Sequence, residues 1–168
     1  MRGLLNLLTA IFLLAGLVGS ADAQIRLGGH VANLGTFDEM SRLEGTTGVG
    51  ARVGVEFPFL LIPMGLYGSA THYFSETSYW TGSVFGKVGL PVPGVSPFGM
   101  LGVRHRNLER LVEGQSAASS SAGFFAGLGL EIGSLFLETS VDFDMAAPSL
   151  PDFETELLTF KAGFIVGK

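Results

Sequence analysis

Between Leu135 and Asp144 the chain changes character at every step. Leu135, Leu137, Thr139, Val141 and Phe143 form one set; Phe136, Glu138, Ser140, Asp142 and Asp144 form the other. Successive side chains of a strand point to opposite faces, so a period of two predicts a β-strand with one apolar and one polar face. The pattern recurs. Val49, Ala51, Val53, Val55 and Phe57 alternate with Gly50, Arg52, Gly54 and Glu56. Ala126, Leu128, Leu130 and Ile132 alternate with Phe125, Gly127, Gly129 and Glu131. Leu158, Phe160, Ala162, Phe164 and Val166 alternate with Thr159, Lys161, Gly163 and Ile165. Near residue 24, Ile25, Leu27 and Val31 oppose Arg26, Gly28 and His30. Three weaker segments, about 60–72, 80–90 and 96–105, complete a set of about eight strands. Pro63 interrupts the first of these, because proline cannot donate to a ladder. The run Phe98-Gly99-Met100-Leu101-Gly102-Val103 leaves the register of the last one open.

The connections alternate too. They are short at Pro58, Pro91 to Gly94 and Gly133-Ser134. They are longer and more polar over about 35–45, 74–79, 107–121 and 145–153. Short turns at one end and long loops at the other describe an up-and-down antiparallel barrel. In the third long connection, the run Ser116-Ala117-Ala118-Ser119-Ser120-Ser121 reads as a solvated, mobile loop.

The N-terminus has a different logic. Arg2 precedes an apolar run from Leu4 to Val18, and Gly19-Ser20-Ala21-Asp22-Ala23 ends in an Ala-x-Ala pattern. This layout predicts a secretory signal peptide over residues 1–23 and a barrel domain over 24–168. Nothing after the signal approaches the roughly 18 apolar residues of a spanning helix. Yet the 168-residue chain is 47% hydrophobic and only 15% charged, with 25 glycines and no cysteine. Strands that cross a bilayer reconcile high apolarity with the lack of a spanning helix. The net charge of −5 carries no basic stripe, which argues against nucleic acid as a partner.

Alternation does not say which face is inside. In a soluble, lipocalin-like lipid-binding barrel, Val49, Val53, Leu128, Leu137 and Phe160 line the interior. In a membrane barrel they meet lipid and the polar set fills the lumen. Glycines on the polar face, apolar faces about nine to eleven residues long and the alternating loops favour the membrane arrangement. Charges inside must then pair, because desolvation of an unpaired charge is costly. The candidate lumen network is Arg26, Arg52, Glu56, Lys87, Glu131, Glu138, Asp142 and Lys161. Eight strands enclose room for side chains, not for an aqueous channel. Aromatics near strand ends suggest two interfacial girdles: Phe57, Phe59, Phe98, Phe136 and Phe164 at the short-turn end, and Tyr73, Tyr79, Trp80, Phe124 and Phe143 at the other.

The chain resembles the small outer-membrane β-barrel superfamily that includes OmpA and OmpX. The resemblance rests on the signal ending Ala21-Asp22-Ala23, on Ser96-Pro97-Phe98 leading into a Gly-rich strand, and on the final stretch from Leu158 to Lys168. It covers essentially all of residues 24–168. Family members commonly end in an aromatic that serves as an assembly signal; here Phe164 is the last aromatic, before Gly167-Lys168. The resemblance implies the outer membrane of a Gram-negative-type bacterium. It also implies outer-membrane lipid and lipopolysaccharide as surroundings, and barrel-assembly machinery and periplasmic chaperones as partners. With no peptidoglycan-binding domain following the barrel, a wall tether is not implied.

Some such barrels modify lipid A, so the histidines matter. His30, His72 and His105 are scattered, and Ser75 falls three residues after His72, on the opposite face of a strand. This offers no nucleophile–base pair. Metal-ligand spacing is also lacking, and the glycine-rich stretches do not sit between a strand and a helix. The acidic loop residues Asp38, Glu39, Glu76, Asp152, Glu154 and Glu156 read as solvated, although they suit divalent cations held together with lipopolysaccharide phosphates; Arg104, Arg106 and Arg110 beside the third loop also read as solvated, although they suit lipid phosphates. The expectation is a non-enzymatic barrel without cofactor or metal, its lumen plugged, acting in structure or surface interaction through its long loops. The alternatives are the lipocalin-like carrier and the lipid A-modifying enzyme.

Overall fold

A computed structural model describes residues 23–35, 46–59, 62–74, 79–112, 115–144 and 156–167, with backbone alone at 79, 107–121, 144, 156 and 157. Residues 1–22 of the predicted signal peptide and the connections 36–45 and 145–155 lie outside the described residues.

Eight strands follow in order: β1 Gln24–Gly35, β2 Thr46–Phe59, β3 Ile62–Tyr73, β4 Tyr79–Gly89, β5 Ser96–Val112, β6 Gln115–Ile132, β7 Leu135–Asp144 and β8 Glu156–Gly167. Each pairs antiparallel with the next, and β8 returns to β1 from Arg26↔Gly167 to Gly35↔Leu158. Closure removes the open edges of the barrel wall, which a sheet in lipid requires. Short turns gather at the end that holds Gln24 and Gly167. Gly94 and Gly133 take positive φ there (85° and 60°), as tight reversals demand. Pro63 sits opposite Pro58 at the tip of the β2–β3 hairpin, where few ladder bonds are lost.

The apolar face is outside. Val49, Val53, Leu128, Leu137 and Phe160 are 44–69% exposed, which contradicts the lipocalin-like arrangement. Among the described residues twenty-five large apolar side chains stand exposed. Transferring each from water to hydrocarbon is worth about 1 kcal/mol. The sum exceeds the roughly 5–15 kcal/mol that stabilises an ordinary domain. By contrast, all ten Asp, Glu, Lys and Arg side chains that are described are buried or half-buried: Arg26, Arg52, Glu56, Lys87, Arg104, Arg106, Glu131, Glu138, Asp142 and Lys161.

Three expectations need correction. Phe98, Phe136 and Tyr73 are 3%, 1% and 1% exposed and point into the lumen, so they are not girdle residues. Strand-end position fixes height, and only parity fixes the face. Exposed Phe59 and Phe164 remain at the short-turn end, with Trp80, Phe124 and Phe143 at the other. Within the predicted loop over 107–121, residues 107–112 and 115–121 are strand. The β5–β6 ladder continues through Leu108↔Ser119 and Arg110↔Ala117 to Val112↔Gln115. An established ladder extends through small residues, and β-branched Val112 favours it on the partner strand. Lastly, Arg104 and Arg106 are 5% and 4% exposed and belong to the interior, not to a solvated loop.

Candidate functional site

The lumen is built in layers, and the layers follow from residue order along each strand. On β2 the inward residues run Gly48, Gly50, Arg52, Gly54 and Glu56 from the long-loop end to the short-turn end. Glu56 therefore belongs to a lower tier and Arg52 to an upper one. The same order separates Lys87 below from Phe85 above on β4, and Phe136 below from Glu138 and Asp142 above on β7.

The lower tier holds Arg26, Glu56, Lys87 and Glu131. Lys87 Nζ donates to Glu56 Oε1 and to Glu131 Oε1, both at 2.5 Å. Arg26 approaches the same two carboxylates at 3.5 and 3.7 Å. The Tyr67 hydroxyl donates to Glu56 at 2.5 Å. Two cations thus meet two carboxylates around a cavity of about 400 Å³ at the short-turn mouth, bordered also by Ser96 and Phe98.

Above it lies a belt of buried apolar side chains: Tyr67, Phe85, Phe98, Met100, Phe125, Phe136 and Ile165. Tyr67 stacks on Phe85 at 5.4 Å between centroids, and Phe85 meets Phe125 edge-on at 5.8 Å. Glycines on neighbouring strands make the room. Gly54 pairs with Tyr67, Gly102 with Phe85 and Phe125, Gly129 with Phe98, and Gly163 with Phe136. A Cβ on Gly127 would come within 2.6 Å of Met100 Cε. Cations cap the belt on both sides. Lys87 lies 4.9 Å from the Phe98 centroid; from above, Arg52 lies 3.9 Å from Phe136 and Arg104 lies 4.4 Å from Phe125. Such contacts strengthen when desolvated.

The upper tier holds Arg52, Arg104, Arg106, Lys161, Glu138 and Asp142. Glu138 takes Arg52 at 2.8 Å and Lys161 at 3.5 Å. Asp142 accepts two bonds from Arg104 Nη1, at 2.7 and 2.9 Å, and is also paired with Arg106. Arg104 donates further to Thr159 Oγ1 at 2.8 Å and Ser140 Oγ at 3.2 Å. Beside them His30 Nε2 lies 2.9 Å from Thr71 Oγ1. Ala32, Leu34 and Tyr73 form a second apolar cluster toward the long-loop end.

All eight residues of the sequence-derived lumen network are thus on the inward face, in two groups rather than one. Sequence reasoning missed Arg104 and Arg106. The available signal was Leu101, Val103 and His105 alternating with Gly102, Arg104 and Arg106. His105 is exposed, and His72 packs its ring against Trp80 at 4.6 Å and Phe74 at 5.0 Å. Both stand near the long-loop end. Ser75, Asp38, Glu39, Glu76, Asp152 and Glu154 lie outside the described residues. Among the described residues no group of three or more His, Asp or Glu is placed to hold a metal ion.

Closed antiparallel topology, an apolar exterior and a charged, filled interior define a small transmembrane β-barrel. Solved structures agree on the fold. The N-terminal β-barrel domain of Pseudomonas aeruginosa OprF superposes with a TM-score of 0.58 at 16% identity, over 85% of this chain and 97% of that one. Neisserial surface protein A superposes at 0.51 and 11% identity, over 86% of this chain and 96% of that one. The chain is therefore similar in fold to small eight-stranded outer-membrane barrels. No family model and no curated protein matches its sequence.

Proposed function

We propose that this chain is an exported outer-membrane barrel that does not conduct, and that it serves in structure or surface interaction through its long-loop end. The observation that carries the reading is the apolar belt between two ion-pair tiers. A water column through eight strands has to pass Tyr67, Phe85, Phe98, Phe125 and Phe136, all 1–3% exposed. A lumen so filled leaves the outer end as the working surface.

One element stands out there. Beyond Asn107, β5 pairs only with β6 among the described residues. From Asn107 to Val112 the ribbon gains about 17 Å at roughly 3.4 Å per residue. In this reading residues 1–23 are removed on export. Chaperones and barrel-assembly machinery deliver the chain, and lipopolysaccharide surrounds its outer half. The long-loop end faces the medium.

The test has two readouts. In planar bilayers the purified barrel is expected to give no steady conductance; a stable open level would contradict a plugged lumen. An epitope inserted between Val112 and Gln115 is expected to bind antibody on intact cells, whereas access only after lysis would contradict the orientation.

A further inference from the structure

Two kinds of glycine interrupt the strands. One kind makes room for a neighbour. A Cβ on Gly65 would lie 2.8 Å from Tyr67 Cε2, and one on Gly163 would lie 2.8 Å from Phe136 Cε1, both in the lumen. On the outer wall, a Cβ on Gly29 would meet Phe164 Cε1 at 3.2 Å. Gly68 and Gly82 are of the other kind: among the described residues, no atom lies within 4 Å of a Cβ built on either. Neither takes a positive φ, so the backbone does not require glycine there. Glycine weakens a strand interior, and where no bend or internal contact calls for it, it marks close approach by a ligand or another backbone.

The register gathers these positions. Ala51 pairs with Ala70, Ala70 with Gly82, Gly82 with His105 and His105 with Ala122, all on the outward face. Val53, Gly68, Val84 and Val103 form the next outward row toward the short turns. Val49, His72 and Trp80 begin the next row toward the long loops. The result is a trough of about 740 Å³ in the outer wall, with a floor of alanine and glycine and valines along its short-turn side. Among the outward side chains that line it, His105 alone is polar, and it is exposed. From β2 to β5 the trough crosses three strand spacings, about 14 Å. Exposed Trp80 stands two residues from Gly82 along β4, which is roughly 5 Å in height for strands tilted by 35–45°. The trough thus lies just inside the aromatic girdle of the long-loop end.

We propose that this trough holds one acyl chain of a lipopolysaccharide molecule, with the His105 imidazole hydrogen-bonded to a phosphate at the head of that lipid. The trough is continuous with the wall that meets lipid. A strand or loop of a protein laid into it would bring polar backbone groups against a floor that satisfies none of them. A single acyl chain has no such groups and fits a channel one row of small residues wide. His105 stands next to the girdle, where a lipid passes from hydrocarbon to headgroup. The assignment of the lipid rests on the long-loop end facing the medium, because the opposite orientation puts the trough in the other leaflet.

The test uses the full chain expressed in cells that make lipopolysaccharide, extracted and washed in mild detergent. Bound lipid is read by mass spectrometry of the intact barrel. One retained lipopolysaccharide is expected. Gly68→Leu and Gly82→Leu fill the trough from positions where a Cβ meets nothing. Both are expected to keep the mobility shift on boiling and to lower retention by about tenfold. His105→Ala leaves the trough open and is expected to lower retention by a smaller factor. Gly99→Leu, on the outer wall but outside the trough, is expected to retain lipid as the wild type does. Equal retention by the wild type and the two trough-filling variants would overturn the proposal, as would a wild-type barrel that keeps no lipid. A wild-type dimer that Gly82→Leu converts to a monomer would overturn it in favour of a second copy. Retained phospholipid in place of lipopolysaccharide would also overturn it, and antibody access to the epitope between Val112 and Gln115 then tells whether the orientation or the choice of lipid was at fault.

Discussion

The lower and upper tiers of the lumen use the same residue types to different ends. At the short-turn mouth each cation meets both carboxylates, and Arg26, Glu56 and Glu131 keep 12–16% exposure. Losing one partner there leaves the other in reach, with solvent close by. In the upper tier, among the ion pairs of the described residues, Glu138 takes both Arg52 and Lys161, and Asp142 takes both Arg104 and Arg106. Each carboxylate there is shared by two buried cations, and for Arg52 and Lys161 Glu138 is the one carboxylate among the described ion pairs. An ion pair's worth here depends less on its distance than on how many alternatives its partners have and how dry they are.

Substitutions can break or sharpen that contrast. The largest effect is expected from Glu138→Ala, which strands Arg52 and Lys161. A loss of about 3–5 kcal/mol is predicted, read as a lower urea midpoint of the detergent-folded barrel. A change below 1 kcal/mol would mean that the upper tier is as forgiving as the lower.

Outside the lumen, Val53→Arg places a charge on the lipid face, where about 2–4 kcal/mol is lost near the bilayer midplane. Equilibrium folding into vesicles should register it, and an unchanged folding free energy would argue that Val53 does not face lipid. Gly129→Ala probes the belt between the tiers. The new Cβ would lie 2.6 Å from the Leu137 carbonyl and 2.8 Å from Phe98 Cε1. We expect a cost of about 1–3 kcal/mol from overpacking, measurable by the same urea titration. The smallest effect is expected from Glu131→Gln in the lower tier, about 1 kcal/mol, because Glu56 still serves both Lys87 and Arg26. A loss as large as that of Glu138→Ala would erase the distinction between the tiers.

How far the sequence could be read follows from this layering. Where one face is charged and the other apolar, as in Leu135 to Asp144, alternation reveals strand and face together. Where a strand crosses the belt, both faces are apolar and the signal fails. On β5 the inward residues at that height are Phe98 and Met100 and the outward one is Gly99, so size as well as polarity is inverted. That is why the pattern leaves the register open and why Arg104 and Arg106, four and six residues beyond Met100, read as solvated residues beside a loop. Phe136 and Tyr73 were misplaced for the same reason: an aromatic near a strand end looks alike whether it meets a membrane interface or a lumen. The pairing of specific charges depends on strand stagger around the closed barrel, which no local pattern encodes. Serine- and alanine-rich composition in 116–121 likewise carries no information on whether a neighbouring ladder continues through it.

The central claim is that the apolar face looks outward into lipid and the charged face inward. Refolding residues 24–168 from urea, with and without detergent, tests it most directly, read by circular dichroism and by the mobility of boiled and unboiled samples. The account predicts β-structure only when detergent is present, with a band that shifts on boiling. Cooperative folding in plain buffer, with no detergent requirement and no shift, would contradict it.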